Sequence, residues 1–282
     1  MREFSPRNRC PGQKEQTPTM ATKKTPAKAD AAPLAQPGEV ISLAKLMSTA
    51  VAYVHFDVWL VGETPLITHA WSEKAKREML QKQAKGTKAG KEARDPHADF
   101  VNSLYEMGTV GKKTVYGFPV TGVKNAILSS AHKDKGVPRT TVTSALYLNA
   151  DMVRVRPALA GAICDMPLVR IYGDEPAMRE DMVRIGTGLN KKANLAYRAQ
   201  FTNWAINLKG KFNPAVMSAE QLIFLTNEAG IGIGIGEWRN ERKGMFGAFR
   251  MANVEEQAAW EKFAAGKGPL PVRDDGFSQA AE

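Results

Sequence analysis

The sequence predicts an α+β protein, and three features support this prediction. Segments of alternating apolar and polar residues, rich in β-branched and aromatic side chains, are typical of strands. Segments with apolar residues at helical spacing and with capping residues at their starts are typical of helices. Hydrophobic residues make up 43% of the 282 residues and charged residues 24%, which is the balance of a folded domain with a buried core.

The first predicted strand is followed by a basic helix, a basic loop and a second helix. Residues 53–61 alternate in polarity and include several β-branched and aromatic side chains, which predicts a strand. Ser72 can cap a strongly basic helix that extends to residue 83. Residues 84–94 have no apolar period and predict a basic loop, and a second helix is predicted at residues 99–107.

The rest of the domain is predicted as a mixture of strands and helices. In chain order these elements are a helix at 120–132, strands at 144–156 and 168–172, a long strand at 197–208, a helix at 218–229 and a final strand at 245–254. The simplest architecture for this order is a βαββαβ, ferredoxin-like core with a helical insertion, residues 62–117, after the first strand.

One tail is predicted on each side of this domain. The domain covers residues 50–256, and the tails cover residues 1–49 and 257–282. The N-terminal tail contains a stretch rich in Ala, Lys, Pro and Thr, which cannot bury a core. This composition allows two interpretations, a solvated linker or a basic arm that adds salt-dependent affinity for phosphates.

The charge balance indicates the class of partner. Lys and Arg total 39 and Asp and Glu total 29, which gives a formal net charge of +10. Such a surplus favours nucleic acid or an anionic membrane surface as a partner. No apolar run reaches the roughly 18 residues of a membrane span, and no apolar stretch follows the N-terminal arginines as in a secretory signal. The two cysteines, Cys10 and Cys164, form no disulfide framework, so a cytoplasmic location is predicted.

The most informative segment is residues 230–250, GIGIGIGEWRNERKGMFGAFR. Its six glycines indicate a backbone that adopts positive φ or allows another chain to approach closely. Guanidinium forks and unpaired backbone N–H groups suit phosphate oxygens, and aromatic rings can stack on bases or sugars. The candidate cations are Arg239, Arg242, Lys243 and Arg250, and the candidate rings are Trp238 and Phe249. A second interpretation is that the glycines only pack a tight crossing from helix to strand.

Two familiar nucleotide-binding loops do not fit this segment. A P-loop requires Gly-Lys followed by Ser or Thr, whereas Lys243 is followed by Gly244 and Met245. A dinucleotide-binding loop follows a strand and opens a helix, and the order predicted here is the reverse. The sequence therefore predicts no mononucleotide or NAD site, and no cofactor.

A glycine-rich loop that contains arginine, follows the last helix and precedes a Phe-Gly-x-Phe strand resembles the signature of the RAMP superfamily. These are ferredoxin-like RNA-binding proteins of CRISPR effector complexes, including the backbone subunit that polymerises along guide RNA. The matching residues are Gly234, Gly236, Arg239, Gly244, Gly247 and Phe249. The resemblance implies backbone-directed binding of single-stranded RNA or DNA, with head-to-tail assembly along the strand. Residues 64–75 also resemble a family of phage proteins, which implies a stand-alone phage or prophage member as an alternative.

Three cations outside this segment are further candidates for nucleic-acid contacts: Lys74, Arg77 and Arg198. The alternative for Lys74 and Arg77 is a solvated helix face, and the alternative for Arg198 is structural packing. The sequence contains no His-x-x-x-His, Cys-x-x-Cys or paired-carboxylate pattern, so no metal site and no catalytic residue is predicted.

Together these observations predict a non-catalytic protein that binds single-stranded nucleic acid, with RNA favoured, through the phosphate backbone. A homo-oligomer or filament on the strand is expected, and no membrane partner. Two alternatives remain open. One is a metal-independent RNA endonuclease of the same fold, with His69 or His132 as general acid or base. The other is a scaffold protein whose glycine-rich segment makes subunit contacts.

Overall fold

The computed structural model describes residues 52–71, 73–85, 95–134, 138–155, 159–185 and 192–272. The predicted N-terminal tail and most of the basic loop predicted at 84–94 lie outside these residues, as does the end of the predicted C-terminal tail. The described part contains antiparallel sheets with helices on their faces. The α+β class is therefore confirmed.

The described elements comprise strands β1 to β11 and helices α1 to α6. The strands are β1 Val54–Gly62, β2 Leu66–Thr68, β3 Glu106–Val110, β4 Lys113–Pro119, β5 Leu146–Leu148, β6 Asp151–Arg154, β7 Asp165–Gly173, β8 Ala177–Ile185, β9 Lys192–Phe201, β10 Trp204–Phe212 and β11 Phe249–Met251. The helices are α1 Glu73–Lys85, α2 Pro96–Asn102, α3 Val120–Asp134, α4 Arg139–Ala145, α5 Ala219–Gly232 and α6 Val254–Ala264. None of these helices has the length and apolar character needed to cross a bilayer.

The strands form one large and one small sheet. The large sheet has eight strands in the order β11-β1-β10-β7-β4-β3, with β5 paired to β10 and β6 paired to β7. Every pairing in it is antiparallel. The small sheet has the order β2-β9-β8, and β8 and β9 form a long hairpin.

The main core lies between the large sheet and helices α3 and α5. Successive side chains of a strand face opposite sides, so Phe56, Val58 and Leu60 of β1 all point toward this core. The helices contribute their apolar faces through Val123, Ile127, Leu222 and Leu225. The buried hydroxyl of Ser130 donates a hydrogen bond of 2.9 Å to the Leu225 carbonyl oxygen, which ties α3 to α5.

Helix α6 covers part of the opposite face of the large sheet. It begins with a capping box, in which the Asn253 side chain accepts from the Glu256 backbone N–H and the Glu256 carboxylate accepts from the Asn253 N–H. Trp260 is only 2% exposed and stacks on Trp59 of β1, with ring centroids 6.1 Å apart. Part of the segment predicted as a C-terminal tail, from residue 257, is therefore a docked helix.

Three predicted elements are wrong in their type or extent. The helix predicted at 99–107 ends at Asn102, and the chain continues as β3 from Glu106. The long strand predicted at 197–208 is two strands, β9 and β10, joined by a turn at Thr202 and Asn203. The final strand predicted at 245–254 is reduced to β11, because Gly247 and Ala248 before it form hydrogen bonds with residues 63–65 and the residues after it lead into α6.

Other elements had no counterpart in the prediction. The segment between β1 and α3, predicted as a helical insertion, also contains the strands β2, β3 and β4. Helix α4 and strand β8 were not predicted at all. In both, the pattern is weak: α4 is a short helix rich in Thr and Ser, and β8 includes four charged residues. Strand β8 is stabilised by its pairing along its whole length with β9, the next strand in the chain.

Candidate nucleic-acid interface

The glycine loop, defined here as residues 233–248, connects α5 to β11. Gly234, Gly236 and Gly247 have φ values of +71°, +80° and +67°, a conformation that favours glycine. Close approach of backbone atoms also requires glycine in this loop. A Cβ at Gly244 would lie 1.6 Å from the Trp238 carbonyl oxygen, and one at Gly236 would lie 2.5 Å from that of Ile67 in β2. The loop is therefore folded tightly on itself and onto β2.

The backbone amides of the glycine loop are paired within the protein. Ten of its N–H groups donate to carbonyl oxygens, and these bonds include Ile235 to Gly247, Glu237 to Ile67, Gly244 to Arg239, Phe246 to Trp238 and Gly247 to Pro65. The expectation of unpaired amides that bind phosphate is wrong at these ten positions. The physical reason is that the glycines let the loop and β2 approach closely enough to exchange backbone hydrogen bonds.

The cations of the loop differ in their surroundings. Arg239 donates through Nε and Nη2 to Glu241, at 3.0 and 2.7 Å, and through Nη1 to the Gly236 carbonyl oxygen. Arg242 and Lys243 are exposed, and neither side chain makes a hydrogen bond or ion pair with another described residue. Two uncompensated cations therefore remain on the loop.

Arg250, on β11, is engaged by two carboxylates. Its Nη1 donates to Glu256 at 2.7 Å, and its Nε lies 3.4 Å from Glu63. The hydrogen bond from Arg250 lowers the pKa of Glu256, which is partly buried and also caps α6. Arg250 thus joins β1, β11 and α6, and its charge is compensated within the protein.

A groove with a volume of about 520 Å³ separates the glycine loop from helix α3. The loop forms one wall through Ile233–Glu237 together with Arg239, Glu241 and Arg242. The opposite wall consists of polar and small side chains from α3 and of one arginine from α4: Thr121, Gly122, Asn125, Ala126, Ser129 and Arg139. Three arginines and two glutamates therefore line the groove.

Helix α3 presents its first turn to this groove. The helix begins at Val120, and its first turn contains no acidic residue. The first backbone N–H groups of a helix lack partners within the helix, and the helix dipole places partial positive charge there. Thr121 and Gly122 of this turn line the groove. The groove therefore combines a helix N-terminus with the guanidinium groups of Arg139 and Arg242, and such a combination suits an anion.

One end of the groove holds a group of hydrogen-bonded polar side chains. The His69 ring Nδ1 lies 3.3 Å from Oε1 of Glu237, and the Tyr105 hydroxyl donates to the His69 carbonyl oxygen at 3.2 Å. The hydrogen bond from His69 lowers the pKa of Glu237, and the nearby charge of Arg198 acts in the same direction. Burial raises the pKa of Tyr105, and the Glu237 carboxylate adds to this shift. Tyr105 is therefore a neutral hydrogen-bond donor at neutral pH.

Four of the thirteen predicted nucleic-acid contacts line the groove, namely Gly234, Gly236, Arg239 and Arg242. Trp238, Lys243, Gly244 and Gly247 lie on the same loop outside the groove, with Trp238 38% exposed. The prediction that Phe249 stacks on a base is wrong, because its ring is fully buried in the main core.

The remaining predicted contacts lie elsewhere. Arg250 is held by Glu256 and Glu63, as described above. The Arg198 side chain is only 12% exposed and lies 3.8 Å from Asp181 of β8, so packing accounts for its position. Arg77 is exposed on α1 and does not line the groove, and Lys74 lies in the same helix with its side chain outside the described residues. The side chain of His132, a candidate acid or base in the endonuclease alternative, also lies outside the described residues.

The sequence contains a signal for the α3 wall that the prediction did not use. Thr121, Asn125 and Ser129 are spaced by four residues, so they share one face of the helix. The apolar residues Val123 and Ile127 of the same predicted helix indicate only its buried face. Arg139, Tyr105 and Glu237 could not be placed in the groove from sequence, because contacts between distant segments bring them there.

No protein-family model and no curated protein matches the chain. The solved structures that are similar to it include two at 9% sequence identity. One is the cryo-EM structure of the type III-B Cmr-beta bound to cognate target RNA, with a TM-score of 0.35 and with 74% of this chain and 62% of that chain covered. The other is the crystal structure of Cmr6 from Pyrococcus furiosus, with a TM-score of 0.33 and with 72% and 100% covered.

Proposed function

We propose that this protein binds single-stranded nucleic acid, with RNA favoured, through the phosphate backbone in the groove between the glycine loop and α3. The observation that carries this proposal is the position of Arg242 and Arg139 on opposite walls of the groove, beside the first turn of α3. Neither arginine side chain pairs with a carboxylate of the described residues. A phosphate between the walls would meet positive charge from both sides and hydroxyl or amide donors from Thr121 and Asn125.

The arrangement favours recognition of the backbone over recognition of bases. Guanidinium groups, hydroxyl groups and helix N-termini contact phosphate and sugar oxygens and carry little sequence information. Arg239 contributes as a fixed element, because Glu241 and the Gly236 carbonyl oxygen hold its guanidinium group in place. The preference for RNA and the assembly along the strand follow from the resemblance of the glycine loop to the RAMP signature.

The strand order supports a ferredoxin-like core as part of this proposal. The strands β1, β7, β10 and β11, with α3 between β1 and β7 and α5 between β10 and β11, follow one another as βαββαβ. In the sheet these strands have the order β11-β1-β10-β7, with α3 and α5 packed on one face. The other elements of the large sheet then extend this core beyond β7 and beside β10.

Reversal of charge at Arg242 tests the proposal directly. We expect Arg242→Glu to weaken binding of a labelled single-stranded RNA by about ten- to hundred-fold, because a charge-assisted contact becomes a repulsion. The slope of log affinity against log salt should also fall in magnitude by about 0.7, the contribution of one phosphate on a single strand. Fluorescence anisotropy titrations at several salt concentrations measure both quantities.

A matched control separates a local contact from an effect of net charge. Lys112→Glu changes the charge by the same amount at the exposed turn between β3 and β4, away from the groove. This variant should bind nearly as well as the wild type. Equal losses in the two variants, or wild-type binding that does not change with salt, would remove the groove as the phosphate site.

A second candidate function, RNA cleavage without a metal, is favoured by the contact between His69 and Glu237 in the same groove. In such a reaction His69 takes the proton of a ribose 2′-hydroxyl, whose oxygen attacks the adjacent phosphorus. The bond from phosphorus to the 5′-oxygen breaks, and a proton donor such as Tyr105 protonates the leaving oxygen. The products are a 2′,3′-cyclic phosphate and a 5′-hydroxyl. Glu237 would orient the ring.

Cleavage is tested with end-labelled RNA in the presence of a chelator. If His69 is the base, RNA is cut and an all-DNA strand of the same sequence is not, since DNA lacks the 2′-hydroxyl. His69→Ala should then lower the rate by about 100-fold or more while RNA affinity stays within a few-fold of the wild type. Intact RNA after prolonged incubation with the wild type, or equal rates for both proteins, would rule out this reaction at His69.

A further inference from the structure

The face of the large sheet opposite α3 and α5 carries an exposed patch of rings and cations. The odd-numbered residues of β1 and β10 point to this face, because the even-numbered ones face the main core. Cross-strand pairing places Tyr147 of β5 beside Lys211 of β10, and Lys211 beside His55 of β1. We call Tyr53, His55, Tyr147, Lys209 and Lys211 the outer-face patch.

Two tyrosine rings flank the Lys211 ammonium group in this patch. The Nζ atom lies 5.3 Å from the ring centroid of Tyr53 and 5.4 Å from that of Tyr147, within the range of cation–π contacts. The two tyrosines are 48% and 58% exposed. Solvent therefore reaches both rings, although each is held beside a cation.

The carboxylate nearest in register to this patch is already compensated. Asp57 lies 3.1 Å from Nζ of Lys209 through one oxygen and accepts a hydrogen bond of 2.7 Å from Asn207 through the other. Lys211 makes no ion pair with any residue that the structure describes. The patch therefore has uncompensated positive charge at Lys211, between two exposed aromatic rings.

Another part of the same face is covered by side chains of α6 and β7. Toward the other end of β1, Trp59 is buried by Trp260 of α6 and by Tyr172 of β7. At the end of β1 near Tyr53, the side chains of His55 and Tyr147 are exposed instead. Rings left open beside a cation combine the two features that single-stranded nucleic acids require, namely a surface for base stacking and a charge for the phosphate.

We propose that the outer-face patch is a second contact site for single-stranded nucleic acid, in which bases stack on Tyr147 and Tyr53 and Lys211 contacts a phosphate. The ligand class rests on the proposed function, but the site is separate, because the groove lies on the side of α3 and the patch on the opposite face of the sheet. The two sites also differ in chemistry. The groove lining has guanidinium groups and hydroxyls, whereas the patch offers stacking surfaces.

Base stacking can be separated from charge with two oligonucleotides and two variants. The probes are a labelled RNA oligomer of mixed sequence and an abasic strand of the same length and charge. We expect Tyr147→Ala to bind the RNA at least about five-fold more weakly than the wild type, since removal of a stacking ring costs on the order of 1–3 kcal/mol per base. Tyr147→Phe, which keeps the ring, should bind like the wild type, and the abasic strand should bind equally to all three proteins.

The outcomes distinguish this inference from the proposed function. If Arg242→Glu weakens RNA binding and Tyr147→Ala does not, the groove binds nucleic acid and the outer-face patch has another role. If Tyr147→Ala weakens binding of the abasic strand as much as that of the RNA, the ring does not stack on bases and the inference fails. If the wild type binds neither probe, both proposals fail. Circular dichroism spectra and melting curves of the variants confirm that each is folded.

Discussion

Replacing Gly247 by alanine should disrupt the glycine loop and lower the free energy of unfolding by roughly 3 kcal/mol or more. Gly247 is buried and has a φ of +67°, which an alanine adopts only with strain. A Cβ at this position would lie 1.7 Å from the Ile235 carbonyl oxygen. That oxygen cannot move independently, because Ile235 N–H donates to the Gly247 carbonyl oxygen and Gly247 N–H donates to that of Pro65.

Gly232→Ala provides the matched control for this prediction. Gly232 is the last residue of α5, it is exposed, and an added Cβ would meet no atom within 4 Å. Alanine favours helix formation over glycine, so the free energy of unfolding should stay the same or rise slightly. Urea denaturation of the two variants and the wild type measures the difference. Similar stability of Gly247→Ala and Gly232→Ala would show that the loop tolerates a side chain at its tightest contact.

This comparison also bears on function. The tight packing of the loop places Arg239 and Arg242 in the groove, since the hydrogen bonds of Glu237 to Ile67 of β2 and of Gly247 to Pro65 fix the loop against the sheet. A loop displaced by a side chain at residue 247 should therefore lose affinity for RNA even under conditions where the rest of the protein stays folded. Gly232→Ala should keep its affinity.

The sequence predicted where the glycine loop lies but not what its glycines do. Their spacing indicated positive φ or close backbone approach, and both are found at Gly236 and Gly247. The first interpretation took the partner in that approach to be a polyanion, and the second was a tight crossing from helix to strand. In the structure the partner is the loop itself and the carbonyl oxygens of Pro65 and Ile67. No local pattern reveals such a partner, because β2 precedes the loop by more than half of the chain.

The sequence predicted the helices of the main core better than the turns and the outer face of the large sheet. The apolar stripe of α3 and the Ser218 to Gln221 capping box of α5 are local signals, and both helices are found where they were expected. The turn at Thr202 and Asn203 contains no Gly or Pro and interrupts a continuous run typical of a strand. Asp174 fixes this turn, since its carboxylate accepts from the Asn203 N–H. That contact comes from a segment distant in sequence.

Helix α6 was not predicted either. It packs against the large sheet through Trp260, so loss of that side chain should strongly lower the stability of the protein. Trp260→Ala should lower the free energy of unfolding by roughly 3–5 kcal/mol, the usual cost of removing a large buried aromatic side chain. The Trp260 ring is 2% exposed, stacks on Trp59 and contacts Phe263 edge to face, with ring centroids 5.8 Å apart. Truncation would remove these contacts and leave a cavity against the sheet.

The exposed start of the same helix supplies the control. Val254, the first residue of α6, is 86% exposed, so Val254→Ala removes almost no buried surface and should change the stability by less than about 0.5 kcal/mol. Trp260→Ala should also shift the tryptophan fluorescence to longer wavelength before global unfolding, because α6 leaves the sheet and Trp59 becomes exposed to water. Urea unfolding followed by fluorescence and by circular dichroism separates that local step from the global transition. Coincident transitions and a loss below 1 kcal/mol, on the order of a surface substitution, would mean that α6 does not stabilise the sheet through Trp260.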